Sequence, residues 1–131
     1  SGPALTRTML SEMTQGRPDV VVFELGDGIL GAYGVEAILA DPEIRKVLTA
    51  VVLSANDPVA AWGGVKLLRE RFDIEPCAVT GPATDNAVGV NIIEQQMQVR
   101  AFNAITAGAA LGDHIIDSLG LAAQPVAAAV Q

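Results

Sequence analysis

The sequence predicts an α/β fold in three layers, with helices covering both faces of a mainly parallel sheet of about four strands. Half of the 131 residues are hydrophobic but only 4% are aromatic, so the core must consist mostly of Val, Ile, Leu and Ala. Four short apolar runs alternate with helical segments along the chain. This alternation predicts parallel strands joined by right-handed crossovers, as in Rossmann-like folds.

The first third of the chain is predicted to contain three helices and one strand. A helix over Thr6–Gln15 has apolar residues at helical spacing and is followed by Gly16 and Pro18. Asp19–Glu24 is β-branched and almost wholly apolar, which is typical of a buried strand. A glycine-rich turn then leads to a helix over Val35–Ala40, and Asp41-Pro42 restarts a short helix through Val47.

The remaining chain continues the same alternation. Three more strands are predicted at Ala50–Ser54, Cys77–Thr80 and Val99–Asn103. Helices follow them from Pro58 to near Phe72, from after Asn86 to about Met97, and from about Ala107 to Leu119. Residues 1–121 are therefore expected to form one α/β domain. Residues 122–131 are predicted to be an Ala-rich tail that is loose or packs on a neighbouring subunit.

Trp62 is followed by two glycines inside a predicted helix. Each helical glycine costs about 1 kcal/mol relative to alanine. Close packing between helices is the simplest compensation, and Gly63 and Gly64 therefore indicate a close helix contact that could lie in a dimer interface.

Composition argues against several classes of partner. The formal net charge is −7, from 15 acidic and 8 basic residues, and the only lysines are Lys46 and Lys66. Nucleic acids and anionic membranes need clustered basic residues, so neither is an expected partner. No apolar run of about 18 residues suggests a membrane span. Cys77 is the only cysteine, which favours a reducing compartment, and the expected location is cytoplasmic.

Polar clusters follow three of the four predicted strands. The first contains Glu24, Gly26, Asp27, Gly28 and Gly31, the second contains Ser54, Asn56 and Asp57, and the third contains Thr80, Gly81, Thr84, Asp85 and Asn86. The carboxyl ends of parallel strands meet at one edge of a sheet, where ligands bind in a crevice. We therefore expect a ligand-binding surface there. Helix capping by the same residue types is the competing explanation.

The first cluster also contains a G-x-G-x-x-G pattern at Gly26, Gly28 and Gly31, between a predicted strand and a helix. This pattern is typical of dinucleotide-binding turns, so NAD or NADP binding is an alternative function. Glu24 and Asp27 oppose it because they place negative charge where a pyrophosphate would lie. The same two carboxylates could hold Mg²⁺, although hydrogen bonding to loop N–H groups is the favoured interpretation and no metal site is predicted.

The sequence offers no persuasive catalytic constellation. His114 is the only histidine, it is expected to pair with Asp113 or Asp117, and no serine lies in a G-x-S-x-G elbow. Cys77 begins a buried strand and is expected to be a core residue rather than a nucleophile. One Cys and one His cannot form a structural zinc site. Whether the chain is an enzyme stays open, and no cofactor is identified.

Three segments resemble the second half of dethiobiotin-synthetase-like P-loop ATPases. They are DVVVFELGDG at Asp19–Gly28, AVVLSANDP at Ala50–Pro58 and PCAVTGP at Pro76–Pro82. The resemblance implies ATP and Mg²⁺, with the region of Glu24 near metal or substrate and the later strand-end loops near the base. The chain lacks the G-x-x-x-x-G-K-[ST] phosphate loop, so it is not expected to hydrolyse ATP by itself.

The sequence therefore favours a non-catalytic ligand-binding or assembly domain, cut from or related to a larger nucleotide-utilising protein. The expected partners are further copies of the chain or the remainder of a larger chain, and a nucleotide or small anionic ligand. The principal alternative is a small dinucleotide-binding domain. A third hypothesis is an enzyme that uses Glu24, Asp27 and Asp85 as acids or bases.

Overall fold

The computed structural model describes residues 1–121, and the predicted tail at 122–131 lies outside the described residues. Contacts within the chain divide it into two compact units, Ser1–Leu48 and the chain from Thr49 onward. The single domain expected over residues 1–121 stays a prediction. Among the described residues, helices are too short or too polar to cross a bilayer.

The unit at residues 1–48 is helical. It contains α1 (Gly2–Thr14), α2 (Val35–Ala40) and α3 (Pro42–Val47), which all contact one another. Its buried side chains are Val35, Ile38, Leu39 and Ile44. Asp41 separates α2 from α3 because its extended backbone ends one helix while its carboxylate caps the next, accepting from two N–H groups at 3.0 and 3.1 Å. All three predicted helices are confirmed.

The strand predicted at Asp19–Glu24 is not confirmed. Within residues 1–48 this segment has no regular secondary structure, and Val22 is 83% exposed. A buried parallel strand needs a hydrogen-bonded neighbour and cover on both faces. The regular elements of the same unit are all helices, so none of them offers a strand ladder to pair with.

The unit from Thr49 contains a three-stranded parallel sheet. Its strands are β1 (Val52–Ser54), β2 (Ala78–Thr80) and β3 (Arg100–Ala101), in the spatial order β1-β2-β3. In this register Leu53 lies beside Val79, which lies beside Ala101. The three later predicted strands are thus confirmed, each shorter than expected, and the unit is α/β.

Helices flank this sheet and bury its apolar side chains. They are α4 (Pro58–Phe72), a 3-10 helix (Pro82–Thr84), α5 (Ala87–Met97) and α6 (Gly108–Ser118). Alternate strand residues point to opposite faces. Val79 and Ala101 accordingly join one apolar cluster with residues of α4 and α5. Ala78 joins a second cluster with Phe102 and with Leu111 of α6.

Two glycines allow helices to approach their neighbours closely. A Cβ on Gly64 of α4 would lie 2.7 Å from a methyl of Leu53 in β1, so this glycine fits α4 against the sheet. A Cβ on Gly89 of α5 would overlap the carbonyl oxygen of Ala83, which is backbone and cannot rotate away. The compensation expected for Gly64 is therefore contact with a strand rather than with another helix.

Replacing Gly89 with alanine is expected to destabilise the protein by about 2 kcal/mol or more, because α5 must move away from the 3-10 helix. Chemical denaturation followed by circular dichroism measures the loss. Gly112→Ala is the matched control, since a Cβ there meets nothing within 4 Å in α6. The control should be neutral or stabilising by up to about 1 kcal/mol. Equal effects of the two substitutions would contradict the packing argument.

Candidate functional site

The carboxyl ends of the three strands form one surface, built from residues 54–57, 80–87 and 102–107, which we call the strand-end surface. Backbone hydrogen bonds join its loops: the N–H of Ala55 donates to Thr80 O, and the N–H of Ala83 donates to Ala55 O, both at 3.0 Å. The N–H of Ala104 donates to Thr80 Oγ1 at 3.2 Å. The second and third predicted clusters therefore lie together.

Two of the predicted site residues are helix caps. Asp57 Oδ1 accepts from the N–H of Ala60 at 2.8 Å, and Asn86 Oδ1 accepts from the N–H of Gly89 at 2.9 Å. These bonds satisfy N–H groups in the first turns of α4 and α5. The competing capping explanation is correct for both residues, although both side chains remain exposed at the surface.

Gly81 and Thr84 hold the loops together. Gly81 has a φ of 89°, and a Cβ there would lie 2.7 Å from both Ser54 Oγ and Ala55 O. Only glycine lets these loops approach so closely. Thr84 is 3% exposed, and its hydroxyl donates to Gly81 O at 2.6 Å. Thr84 therefore supports the surface from below, while Gly81 is partly exposed and lets the loops after β1 and β2 come together.

Asn103 organises the last loop and was absent from the predicted clusters. Its Nδ2 donates to Asp85 Oδ1 at 3.0 Å and to Thr84 O at 3.3 Å. Its Oδ1 accepts from the N–H groups of Ile105 and Thr106, both at 3.0 Å. Asn103 ends the fourth predicted strand, so the rule that selected the other three clusters could have found it.

This hydrogen-bonded turn presents an aliphatic side chain to solvent. Ile105 is 93% exposed, and Val88, which adjoins the strand-end surface at the second position of α5, is 68% exposed. The Ser54 and Asn56 side chains, in the loop after β1, are also exposed. The surface thus combines exposed apolar side chains with exposed polar groups that can bond to water or to a ligand.

The strand-end surface is acidic. Its charged side chains are Asp57 and Asp85, and residues 54–57, 80–87 and 102–107 contain no Lys, Arg or His. The N-termini of α4 and α5 offer partial positive charge, but Asp57 and Asn86 already use N–H groups there. Electrostatics at this surface therefore favour a neutral or cationic group over a phosphate.

The first predicted cluster lies in the other unit, at residues 1–48. Glu24, Gly26, Asp27, Gly28 and Gly31 are exposed and belong to an irregular segment. Gly31 has a φ of 144°, and α2 begins only at Val35 after further bends. A dinucleotide-binding turn must follow a strand and open directly into a helix. Residues 1–48 as described lack that local context.

Metal ligands do not converge in the part of the chain that the structure describes, where no three His, Cys, Asp or Glu side chains are grouped.

Comparison with known proteins finds no matching family model, curated protein or solved structure. The resemblance to dethiobiotin-synthetase-like ATPases stays a prediction, and function must be argued from the geometry of the strand-end surface.

Cys77 and His114 meet at the amino ends of the strands, beside the start of β2 and away from the strand-end surface. The Nε2–H of His114 donates to the carbonyl oxygen of Cys77 at 2.7 Å, and its ring lies 5.3 Å from the ring of Phe102. The ring N–H of His114 therefore donates to a backbone carbonyl group rather than to Asp113 or Asp117, the partners predicted from the sequence. Burial raises the pKa of the Cys77 thiol, and a hydrogen bond with Ser118 only partly offsets this.

The raised pKa predicts that Cys77 is a poor nucleophile. Because only the thiolate reacts, alkylation by iodoacetamide at pH 8 should be slower in the folded chain than in the urea-unfolded chain. The alkylation rate should rise with pH, and the midpoint of this rise should lie at a higher pH for the folded chain than for the unfolded chain. Mass spectrometry of quenched samples gives both rates. Faster alkylation of the folded chain would contradict the burial argument.

Asn103→Asp is expected to destabilise the protein by about 1–3 kcal/mol, because a carboxylate cannot donate to Thr84 O and would face Asp85. Urea denaturation at pH 7 measures the loss. Asn91→Asp, at an exposed position of α5, is the control and should change stability little. Adding Asp85→Asn should restore part of the loss, and failure to do so would contradict the proposed charge repulsion.

Proposed function

We propose that the strand-end surface binds a ligand, without a catalytic role of its own, as part of a larger nucleotide-utilising protein. The observation that carries this proposal is the exposed Ile105 on a turn held by the side chain of Asn103. An aliphatic side chain fixed in water gains about 1.5–3 kcal/mol when it is buried. A ligand that covers Ile105 gains this free energy without having to order the turn.

The chemistry of the surface favours an uncharged ring system with apolar faces and hydrogen-bonding edges. Ile105 and Val88 can contact such faces, while Ser54 and Asn56 can bond to the edges. The base or nucleoside part of a nucleotide has this character. Asp57 and Asp85 argue against phosphate at this surface, so the phosphates would lie elsewhere in the larger protein.

The side chains of the surface support a binding role over a catalytic one. Its two carboxylates are engaged, since Asp57 caps α4 and Asp85 accepts from Asn103. General acid–base catalysis needs a group free to exchange its proton with a substrate near neutral pH. His114 and Cys77 lie at the opposite edge of the sheet and cannot assist.

The same proposal includes a Rossmann-like architecture and a cytoplasmic location. Parallel strands that alternate with helices, and apolar clusters on both faces of the sheet, support the architecture. Strands β1 and β3 each have one unpaired side among the described residues. A fourth strand would add to one of these edges in the larger protein. The single cysteine supports a reducing compartment.

Nuclear magnetic resonance titration tests the function directly. Adenosine added to the ¹⁵N-labelled chain should shift the backbone N–H signals of Asn56 and Ile105, whereas inorganic phosphate should leave them unchanged. Ile105→Ser should weaken adenosine binding by about 10- to 100-fold, because a buried aliphatic contact is lost.

Val47→Ser is the control for that titration, since Val47 is a 60% exposed aliphatic residue in the other unit. Its adenosine affinity should match that of the unchanged chain. Shifts confined to Gly26, Gly28 and Gly31 on addition of NAD⁺ would instead support the dinucleotide-binding alternative. No shift at the strand-end surface with adenosine would contradict the proposed base-binding role.

A further inference from the structure

The carboxylate of Asp85 is linked to the turn that presents Ile105 through one side-chain amide. Asp85 Oδ1 accepts from Asn103 Nδ2 at 3.0 Å, and Asn103 Oδ1 accepts from the N–H of Ile105, also at 3.0 Å. Asp85 and Ile105 are both exposed. A flat ring system that lies on Ile105 therefore brings one of its edges to the carboxylate.

The hydrogen-bonding group that this part of the surface offers to a ligand is an acceptor. The amide of Asn103 is used on both sides, because Nδ2 donates to Asp85 Oδ1 and Thr84 O while Oδ1 accepts from the N–H groups of Ile105 and Thr106. Asp85 uses Oδ1 for the bond with Asn103, which leaves Oδ2 for water or a ligand. A carboxylate accepts hydrogen bonds and has none to donate.

This acceptor is ordered before a ligand arrives. The backbone N–H of Asp85 donates to Pro82 O at 3.0 Å, at the end of the 3-10 helix, and the side chain is held by Asn103. A group that is already ordered loses little conformational entropy on binding. Oδ2 is therefore placed to discriminate between ligands rather than to adapt to each of them.

The ligand must supply the donors that meet Asp85. Residues 54–57, 80–87 and 102–107 contain no Lys, Arg or His, so the strand-end surface has no cation of its own to set against this carboxylate. Hydrogen bonds to a carboxylate are roughly twice as strong as those between neutral groups. A ligand edge rich in N–H groups gains most from this position.

We propose that Asp85 makes the strand-end surface select a guanine-type base, whose edge carries two adjacent N–H donors. This inference rests on the base-binding role proposed above. Guanine presents its N1–H and its N2 amino group side by side on the Watson–Crick edge, where proteins read unpaired bases. Asp85 Oδ2 accepts from this edge while Ile105 contacts the face of the ring.

The corresponding edges of the other bases fit Asp85 less well. Adenine and cytosine place a ring nitrogen acceptor next to the amino group, and uracil places its single N–H between two carbonyl oxygens. Each of them brings a lone pair toward a carboxylate that has no proton to share. A site built to bond an N–H group rejects a ligand that lacks it, because the protein acceptor is then left unpaired.

Titration of the ¹⁵N-labelled full chain with guanosine, inosine and adenosine tests the selection, with the backbone N–H signal of Ile105 as the readout. Guanosine should bind about tenfold more tightly than adenosine, as expected for one hydrogen bond to a charged group. Inosine keeps the N1–H but lacks the N2 amino group, so its affinity should lie between the two. This series needs no substitution and is independent of whether any variant folds.

Asp85→Asn tests the residue. Its amide oxygen can still accept from Asn103, while an NH₂ donor replaces Oδ2. Guanosine binding should weaken about tenfold and adenosine binding should not, because the new donor can bond to adenine N1. A merely structural role of Asp85 would weaken both nucleosides alike. Asp117→Asn, at an exposed position in the last turn of α6, removes the same charge and should leave both affinities unchanged.

The outcomes separate this inference from the proposed function. If adenosine binds as tightly as guanosine or more tightly, or if Asp85→Asn lowers both affinities equally, the selection of guanine is overturned while base binding stands. If the Ile105 signal responds to none of the three nucleosides, both are overturned.

Discussion

The strand-end surface depends on hydrogen bonds between loops rather than within strands. Strands β1 and β2 are three residues long and β3 is two, so the ladder alone contributes few bonds. Beyond it, Ala55 bonds to both Thr80 and Ala83. Thr84, which donates to Phe102 O, and Asn103, which donates to Thr84 O, join the loops after β2 and β3. The polar residues that follow the strands therefore extend the sheet into its loops, and most of their side chains also stay exposed to solvent.

Glycine fixes how closely these parts can approach. Gly64 brings α4 onto β1, Gly89 brings α5 onto the 3-10 helix, and Gly81 brings the loops after β1 and β2 together. At Gly89 and Gly81 the neighbouring atoms include backbone, so an added methyl group is excluded, whereas the Leu53 methyl beside Gly64 can shift. Gly63 and Gly112 differ from these three, because a Cβ at either position would meet nothing within 4 Å.

Much of this arrangement was predictable from local sequence, because caps and apolar runs act locally. Asp41-Pro42, Asp57-Pro58 and Asn86 begin their helices where expected. The strand expected at Asp19–Glu24 was not found, since a strand also needs a neighbour that local sequence does not reveal.

In the candidate site, too, local features were predictable from the sequence and tertiary contacts were not. Sequence placed the second and third clusters together correctly, because parallel strands share an edge. It could not show that Asp57, Gly81, Thr84 and Asn86 serve the fold, nor that Asn103 positions Ile105, since those roles depend on tertiary distances.

The turn held by Asn103 also has a kinetic consequence. A surface already ordered before encounter needs no conformational step, so the observed rate of ligand association should rise linearly with ligand concentration, without reaching a plateau.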